Sequence, residues 1–489
     1  MYNCAVNIRS CFTWWFGYCL LVGVATAQSM SCVDTKRPAQ DPAVGPMLTA
    51  VNLLLVTDDV DKALALVTQD IAAHPADSRL EDARGRVLYR DGKLGEAIDA
   101  FNLAIKMDPC DGAAHYDAWR VEAMAGLYDA AQKQLEIAKT VWPTQPFLQR
   151  MWANTQMTLP PGVVADNPPH FSFYARHYDC NGIPVRSANV VNAAALPAAC
   201  VHIREMLSRI PNVKANLIAR GAELHIMGED QKVSDLPEFR NERGERVFTR
   251  RDGPANWPEK VDIDARAGAT GGLYANCPER NLLHLPQDGY GVHQEVCVHE
   301  FAHDIMNAGF DSGMQSQISR TYEASMKKGL WKGAYAATNA NEWWAEISEW
   351  YFGAQGSVDR MTPPVPAPGP EALKSYDPDA FTLADRFYGG SKQPKVVHEH
   401  ILEPVRGIGN GTGPNPYEAT ILFVNNSAAR RYLFWVDRDG TGHNFGFLEP
   451  YSRKMIHDYM GRCWMIVDPR TKERPLFTVT DEESEIVVN

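Results

Sequence analysis

The hydrophobic pattern of the first third of the chain repeats at an interval of 34 residues. Pro75, Pro109 and Pro143 are separated by this interval, and apolar residues at helical spacing precede each proline. Small residues recur at the same interval, at Ala63, Ala97 and Ala131. A small side chain lets two helices approach closely, and proline ends a helix because it lacks an N–H donor. The pattern predicts paired helices over residues 45–148.

A helix–turn–helix unit of this length resembles the tetratricopeptide repeat. The resemblance implies stacked helix pairs that bind a peptide or a partner protein, or that only cap or orient the next domain. An unrelated helical bundle with accidental spacing is the alternative.

Residues 160–395 have a mixed pattern. The strand-like runs are 222–227 and 281–285. Helical stretches follow at 292–309 and 339–353, and a proline-rich stretch from Thr362 to Pro370 then breaks regular structure. Strand-like runs followed by helices predict an α+β domain.

The last part of the chain, residues 417–489, follows a loop from Gly407 to Pro416 and contains short β-type runs. These runs are Ala419–Val424, Tyr432–Val436, Cys463–Val467 and Phe477–Val479. Turn signals such as Asp439-Gly440 separate them, which predicts a small all-β sandwich. The chain is therefore expected to be multidomain, with helical repeats, an α+β domain and a β module in this order.

The first 27 residues have the pattern of a signal peptide. Arg9 is their only charge, an apolar stretch from Phe12 to Val24 follows it, and Ala25-Thr26-Ala27 supplies small residues for cleavage. We therefore expect a secreted protein, or a periplasmic one in a bacterium; a retained signal anchor is the alternative. No later apolar run reaches the roughly 20 residues of a membrane span.

The net charge of −12 is spread without long basic or acidic runs, which argues against nucleic acid as a partner. Seven cysteines remain after the predicted signal peptide, so one of them is left free or forms an intermolecular bond. The chain has no Cys-x-x-Cys pair, which argues against a thiolate zinc site.

The strongest chemical signal is the run His299-Glu300-Phe301-Ala302-His303. On a helix, positions i and i+4 lie about 40° apart on one face, so two imidazoles can reach one metal ion. Glu300 follows the first histidine, from where a carboxylate can take a proton from a zinc-bound water. A surface helix with two unrelated histidines is the alternative.

A catalytic zinc needs a third protein ligand. The metzincin spacing fails, because Met306 and Gly309 stand at the corresponding positions. A second helix offers Glu342 and Glu346, again at i and i+4. One can bind the metal, and the other can brace a ligand imidazole from behind.

The stretch 222–353 resembles the catalytic domain of the anthrax lethal factor family, which includes Pro-Pro endopeptidases. These gluzincins carry HExxH on one helix and a Glu-aromatic-aromatic-Ala-Glu run on the next, matched here by Glu342-Trp343-Trp344-Ala345-Glu346. The resemblance implies a zincin fold with Zn²⁺ held by His299, His303 and Glu342, and with Glu346 behind them. It gives Tyr335, seven residues before Glu342, the role of hydrogen-bonding the oxyanion. Leu236–Arg240 and Gly271-Gly272 match as turn elements, and Asn281–Leu285 would be the edge strand that pairs with the substrate.

Residues 420–489 resemble the β domain of the von Hippel–Lindau protein, on Ile421–Ser427, Asp439-Gly440 and Ile456–Tyr459 together with two tryptophans. That family recognises hydroxyproline in an aromatic pocket. The matching aromatic positions here are Trp435, Phe445 and Trp464. Asp458 and Arg462 replace the polar residues that contact the hydroxyl, so a groove for some proline-containing peptide competes with simple core packing.

Together these features predict a secreted zinc metallopeptidase with flanking modules that bind peptides or proteins. The alternative is a non-catalytic scaffold on a degenerate peptidase fold. Intact His299, Glu300, His303, Glu342 and Tyr335 favour catalysis, because a decayed site usually loses at least one such group. A structural cell-surface protein explains none of them.

Overall fold

The computed structural model describes residues 40–56, 59–242, 268–286, 294–354, 369–406 and 417–489, with a few isolated residues outside these ranges. The predicted signal peptide, most of the proline-rich stretch and the predicted loop 407–416 lie outside the described residues. The chain divides into two structural units, Met1–Trp152 and Ala153–Asn489. Across the described ranges, no helix combines the length and apolar character needed to cross a membrane.

The first unit is helical. Its helices are α1 (Val44–Val56), α2 (Val60–Ala73), α3 (Ser78–Arg90), α4 (Leu94–Met107), α5 (Gly112–Met124) and α6 (Tyr128–Val141), and α7 (Pro146–Gln156) spans the boundary. Helices α2, α4 and α6 each end two residues before Pro75, Pro109 and Pro143, which confirms the predicted helix ends. The recurring alanines are buried, as the spacing requires.

One close helix contact explains a glycine inside α3. A Cβ atom on Gly85 would stand 2.5 Å from the ring of Phe101 in α4. No side chain fits there without displacing Phe101, a core residue of this unit. Glycine lowers the stability of a helix, but at position 85 it allows α3 and α4 to pack closely.

The second unit begins with a mixed sheet. Its strands are β1 (Val163–His170), β2 (Tyr174–Cys180), β3 (Ile183–Ser187), β4 (Glu223–Met227) and β7 (Tyr274–Pro278); β5 (Val247–Phe248) and β6 (Lys260–Val261) form a separate pair. The order is β1-β2-β3-β4-β7, with the first two pairings antiparallel and the last two parallel. The predicted strand at 222–227 is confirmed by β4.

The prediction of an edge strand at Asn281–Leu285 is wrong. Strand β7 ends at Pro278, and Glu279–Leu282 form a short helix, α10. A short apolar run fits a strand or a buried helical turn equally well, and periodicity does not separate them. The outer edge of β7 is also partly occupied, because the Asn276 N–H donates to the Thr270 carbonyl at 2.8 Å.

Helices pack on one face of this sheet. They are α8 (Ala195–Leu207), α9 (Pro211–Arg220), α11 (Val296–Asp304), α12 (Ser312–Lys327), α13 (Ala340–Phe352), α14 (Pro370–Tyr376) and α15 (Pro378–Tyr388). Leu224 and Ile226 of β4 belong to the same hydrophobic core as Trp343 and Trp344 of α13. Helical stretches were predicted at 292–309 and 339–353, and α11 and α13 confirm both.

Disulfide bonds tie two strands to this helical layer. Cys180 of β2 pairs with Cys200 of α8, and Cys277 of β7 pairs with Cys297 of α11. Cys110 in the first unit is also disulfide-bonded. Cys463 is the free cysteine of the described residues, and it is buried.

The opposite face of the sheet carries a buried network of charged groups. His225 Nδ1 lies 2.5 Å from Glu238 Oε1, and its Nε2 lies 3.2 Å from Glu223 Oε2. Tyr174 Oη donates to Glu238, and Arg186 Nε donates to Glu223 at 2.5 Å. Every charge in this network therefore has an opposite partner, as burial requires.

These pairings shift two pKa values in opposite directions. Burial alone would raise the pKa of Glu223, but His225 and Arg186 outweigh it and lower that pKa to about 2. Burial alone would lower the pKa of His225, but Glu238 and Glu223 outweigh it and raise that pKa to about 9. The Glu223 contribution to stability is present above pH 4.5 and is lost as the pH falls toward 2. The His225 contribution is complete below pH 6.5 and is lost as the pH rises through 9.

We therefore expect Glu238→Gln to destabilise the fold by about 2 kcal/mol at pH 6, the loss of one hydrogen bond to a charged group. The difference from wild type should shrink above pH 9, where His225 becomes neutral. Urea unfolding across this pH range measures both effects, with the exposed Glu205→Gln as control. A difference that is constant with pH would contradict a charged His225.

The C-terminal module is all β. Its strands are β8 (His400–Ile401), β9 (Glu418–Asn425), β10 (Arg431–Val436), β11 (Gly442–Leu448), β12 (Arg453–Tyr459), β13 (Cys463–Val467), β14 (Leu476–Thr478) and β15 (Glu483–Val488). They form two four-stranded sheets, β11-β10-β13-β14 and β12-β9-β15-β8. The four runs predicted from the sequence correspond to β9, β10, β13 and β14. The fold class is thus helical at the N-terminus and all β at the C-terminus.

The β module and the α/β part belong to one structural unit. Leu422 and Val424 of β9 lie in the hydrophobic core that contains Leu224 and Trp344. The Arg453 N–H of β12 donates to Tyr274 Oη of β7 at 2.7 Å. Residues 160–395 and 417–489 therefore share a core.

Candidate metal centre

Helix α11 carries His299, Glu300 and His303 and is fixed at its start by a side chain from α10. Asn281 Oδ1 accepts the Val296 N–H at 2.8 Å, and Asn281 Nδ2 donates to the Gln294 carbonyl. The Asn281 amide thus satisfies one of the backbone donors that a helix start leaves open. Together with the Cys277–Cys297 bond, it holds α11 against β7.

Helix α13 begins at a sequence-encoded cap that sets the position of Glu342. Asn339 Oδ1 accepts the backbone N–H groups of Asn341 and Glu342, both at 2.9 Å. Asparagine is among the preferred residues for this role. The helix ends at Gly353, whose φ of +72° closes it with a left-handed residue. Because the tryptophans of α13 are buried in the core, the acidic residues of α13 lie on the side that faces α11.

The structure brings His299, His303 and Glu342 together. Glu342 Oε2 lies 3.2 Å from His299 Nε2 and 3.4 Å from His303 Nε2, and one ligand atom from each residue lies within 4.8 Å of the other two. Three atoms at 2.0–2.1 Å from one tetrahedral zinc are separated by about 3.3 Å. Two imidazoles and a carboxylate are also a donor set that zinc prefers. The residues therefore fit zinc in both geometry and chemistry.

The charges of the site favour an ionised Glu342. Burial alone would raise the pKa of Glu342, but its hydrogen bonds with His299 and His303 outweigh burial and hold that pKa well below its usual range. Glu300 is buried beside them, and burial raises its pKa to about 7. A carboxylate with a raised pKa is the type of group that accepts and returns protons near neutral pH.

Tyr335 lies next to His299. It starts the 3₁₀ turn Tyr335–Ala337, shortly before the Asn339 cap, and 56% of its surface is exposed. Its ring centroid is 6.1 Å from that of His299. The Tyr335 ring is therefore exposed beside His299 and is not packed into the core.

Glu349 was missed by the sequence reasoning. Its Oε2 lies 3.1 Å from His299 Nδ1, whereas Glu346 Oε1 lies 3.8 Å from the same nitrogen. Glu349 is fully buried, and burial raises the pKa of both carboxylates. Glu349 is two helical turns after Glu342, a spacing that also places it on the face of α13 toward α11. That spacing was the available signal.

We expect Glu349→Ala to weaken zinc binding by about 10–100-fold, because the partner that orients a ligand imidazole is lost. Glu346→Ala is expected to have a smaller effect, since its carboxylate stands beyond hydrogen-bond distance. Competition with a chromophoric chelator measures both affinities, and thermal unfolding of the metal-free variants tests their folding. The reverse ranking would make Glu346 the orienting carboxylate.

Gly271 and Asp304 fix a loop against His303. A Cβ atom on Gly271 would collide with the Cβ of His303, so only glycine fits there. Asp304, fully buried after His303, accepts the Gly272 N–H at 2.8 Å. The predicted turn elements Gly271-Gly272 therefore contact the helix that carries the candidate ligands.

The aromatic residues predicted in the β module lie in different environments. Trp464 is only 2% exposed and belongs to the core of the module. Phe445 is 40% exposed, and its ring meets that of Trp464 edge-on at 5.1 Å. Trp435 stacks on His443 at 3.9 Å. Core packing therefore accounts for Trp464, while Trp435 and Phe445 lie nearer the surface.

The polar residues beside these rings are bonded to each other and to Trp464. Asp458 Oδ2 accepts the Trp464 Nε1–H at 3.1 Å, and its Oδ1 accepts from Arg462 Nε at 3.2 Å. The Arg462 guanidinium lies 5.4 Å from the Trp435 ring centroid. A ligand hydroxyl at this place would have to compete with these bonds.

Comparison with known proteins supports the resemblance of the C-terminal module. Residues 415–486 match the family model described as VHL beta domain. Comparison with curated proteins finds no match. The all-β module at the C-terminus is therefore similar to VHL β domains.

Proposed function

We propose that this protein is an exported zinc metallopeptidase. The observation that carries the proposal is the convergence of His299, His303 and Glu342 at separations that suit one tetrahedral zinc. Two unrelated histidines on a surface helix would be exposed, whereas His299 and His303 are buried and share the Glu342 carboxylate of a second helix.

The chain's own residues have separate roles in peptide hydrolysis. His299, His303 and Glu342 hold the zinc, which when bound acts as a Lewis acid on the reacting groups. The Glu300 carboxylate takes a proton from the attacking water and returns it to the leaving amine. The Tyr335 hydroxyl donates a hydrogen bond to the oxygen that becomes negative in the transition state.

The remaining modules fit this proposal as parts that select or position a peptide substrate. We infer a zincin-type α+β fold for the region of the sheet and its helices, and tetratricopeptide-like repeats for the first unit. The disulfide bonds Cys180–Cys200 and Cys277–Cys297 favour an oxidising compartment, consistent with export. A proline-containing peptide at Trp435 and Phe445 is part of the same proposal.

The test is the zinc content of the purified full-length chain. We expect one zinc per chain in the wild type and loss of most of it in His303→Ala, because three ligands become two. His177→Ala is a matched control, since His177 pairs with Asp166 on β1, away from α11. Full zinc retention in His303→Ala would contradict the site, and a wild type without zinc would favour the non-catalytic scaffold.

A further inference from the structure

Arg220, the last residue of α9, joins three separate parts of the second unit. Its Nη1 donates to the Ala308 carbonyl at 2.8 Å, its Nε to Glu399 Oε1 at 2.8 Å and its Nη2 to Glu483 Oε2 at 2.5 Å. Ala308 lies in the π-helical turn Ile305–Gly309 that continues α11, and Glu483 begins β15 of the β module. Arg220 as a whole is 1% exposed.

A buried guanidinium is tolerated only while its donors are paired. Removal of one partner of a buried charge costs free energy of folding. Arg220 therefore keeps all three of its partners in place. Asn216, one turn earlier on α9, also joins the π-helical turn to another part of the chain. Its Nδ2 donates to the carbonyls of Gly309 and Lys395, both at 2.9 Å, and its Oδ1 accepts the Val397 N–H.

The π-helical turn is therefore anchored through Ala308 to Arg220, which also holds Glu483 of the β module. Through Gly309 it is anchored to Asn216, which also holds the segment 395–397 that precedes β8. This turn starts two residues after His303, a candidate metal ligand. Such turns are frequent at functional sites. A displacement of β15 would disturb Arg220 first, and the end of α11 next.

We propose that Arg220 couples the C-terminal β module to the helix that carries the metal ligands, so that zinc binding and docking of β15 stabilise each other. The β module then contributes to the stability of the metal site. The zinc half of this proposal rests on the proposed function; the coupling of β15 to the π-helical turn does not. Coupling of this kind is reciprocal by thermodynamic necessity.

The experiment compares two variants that each remove a β-module carboxylate paired with an arginine. Glu483→Ala breaks the contact with Arg220, while Asp468→Ala breaks a pair with Arg431 that lies wholly within the β module. In the full-length chain, we expect Glu483→Ala to weaken zinc binding by about 3–10-fold and Asp468→Ala to leave it unchanged. Equal weakening in both variants, or none in either, would overturn the coupling.

Hydrogen exchange of the metal-free proteins tests the coupling without zinc. Glu483→Ala is expected to speed amide exchange of the turn Ile305–Gly309 by about 10-fold relative to wild type, and Asp468→Ala is expected to leave it unchanged. Unchanged exchange in Glu483→Ala would overturn the inference even if zinc binds. If the wild type binds no zinc but the two variants show these exchange rates, the proposed function would be refuted and the coupling of β15 to the π-helical turn would stand.

Discussion

Glu300→Gln is expected to lower kcat by at least about 100-fold while zinc remains bound. Glutamine has nearly the same shape as glutamate, so α11 and its packing should be retained. Its amide cannot accept a proton from the attacking water, and burial has already raised the pKa of the Glu300 carboxylate to about 7, in a range where proton transfer is efficient. Peptide-library cleavage gives a substrate, and steady-state kinetics on it gives kcat.

Glu295→Gln is the matched control for this variant. Glu295 stands just before α11 and lies 3.6 Å from His202 and 3.5 Å from His284, away from the three ligands. An acid-to-amide change there alters the charge of the helix start without removing a proton acceptor from the site. Equal losses of kcat in both variants would point to a general electrostatic effect, and undiminished activity in Glu300→Gln would remove Glu300 from the mechanism.

Local spacing rules predicted that His299 and His303 share one helix face and offered Glu342 and Glu346 on the next helix, and the family resemblance then selected Glu342. His299 and His303 are one turn apart on a single helix, and the Asn339 cap fixes Glu342 in the first turn of the next. These relations depend only on helix geometry and capping, which a sequence displays directly. The meeting of the two helices was taken from a family resemblance, since their contact is tertiary.

The features that sequence reasoning missed depend on tertiary contacts. Glu349 was overlooked because the i and i+4 rule pointed to Glu346, although the Glu349 carboxylate lies closer to His299 Nδ1. The run that begins at Asn281 was assigned to a strand because a short apolar run has the same local pattern in a strand and in a buried helical turn. That pattern does not show that the Asn281 side chain caps α11. Burial of Arg220 was equally hidden from the sequence, since its three partners are 88, 179 and 263 residues distant.

Tyr335→Phe is expected to lower kcat by about 10²–10³-fold and to leave the Michaelis constant and zinc content near wild type. A hydroxyl that bonds only the developing oxyanion contributes in the transition state and hardly at all in substrate binding. The ring stays, and more than half of its surface is already exposed, so folding should be unaffected. Its ring centroid lies 6.1 Å from that of His299, one of the three candidate ligands.

Tyr451→Phe provides the control, because Tyr451 is 61% exposed and lies in the β module. A higher Michaelis constant with unchanged kcat in Tyr335→Phe would instead make Tyr335 a substrate contact, because binding of the ground state would then be affected. No change in either constant would exclude Tyr335 from the reaction. The chemistry would then rest on Glu300 and the three ligands, and oxyanion stabilisation would have to come from another donor at the site.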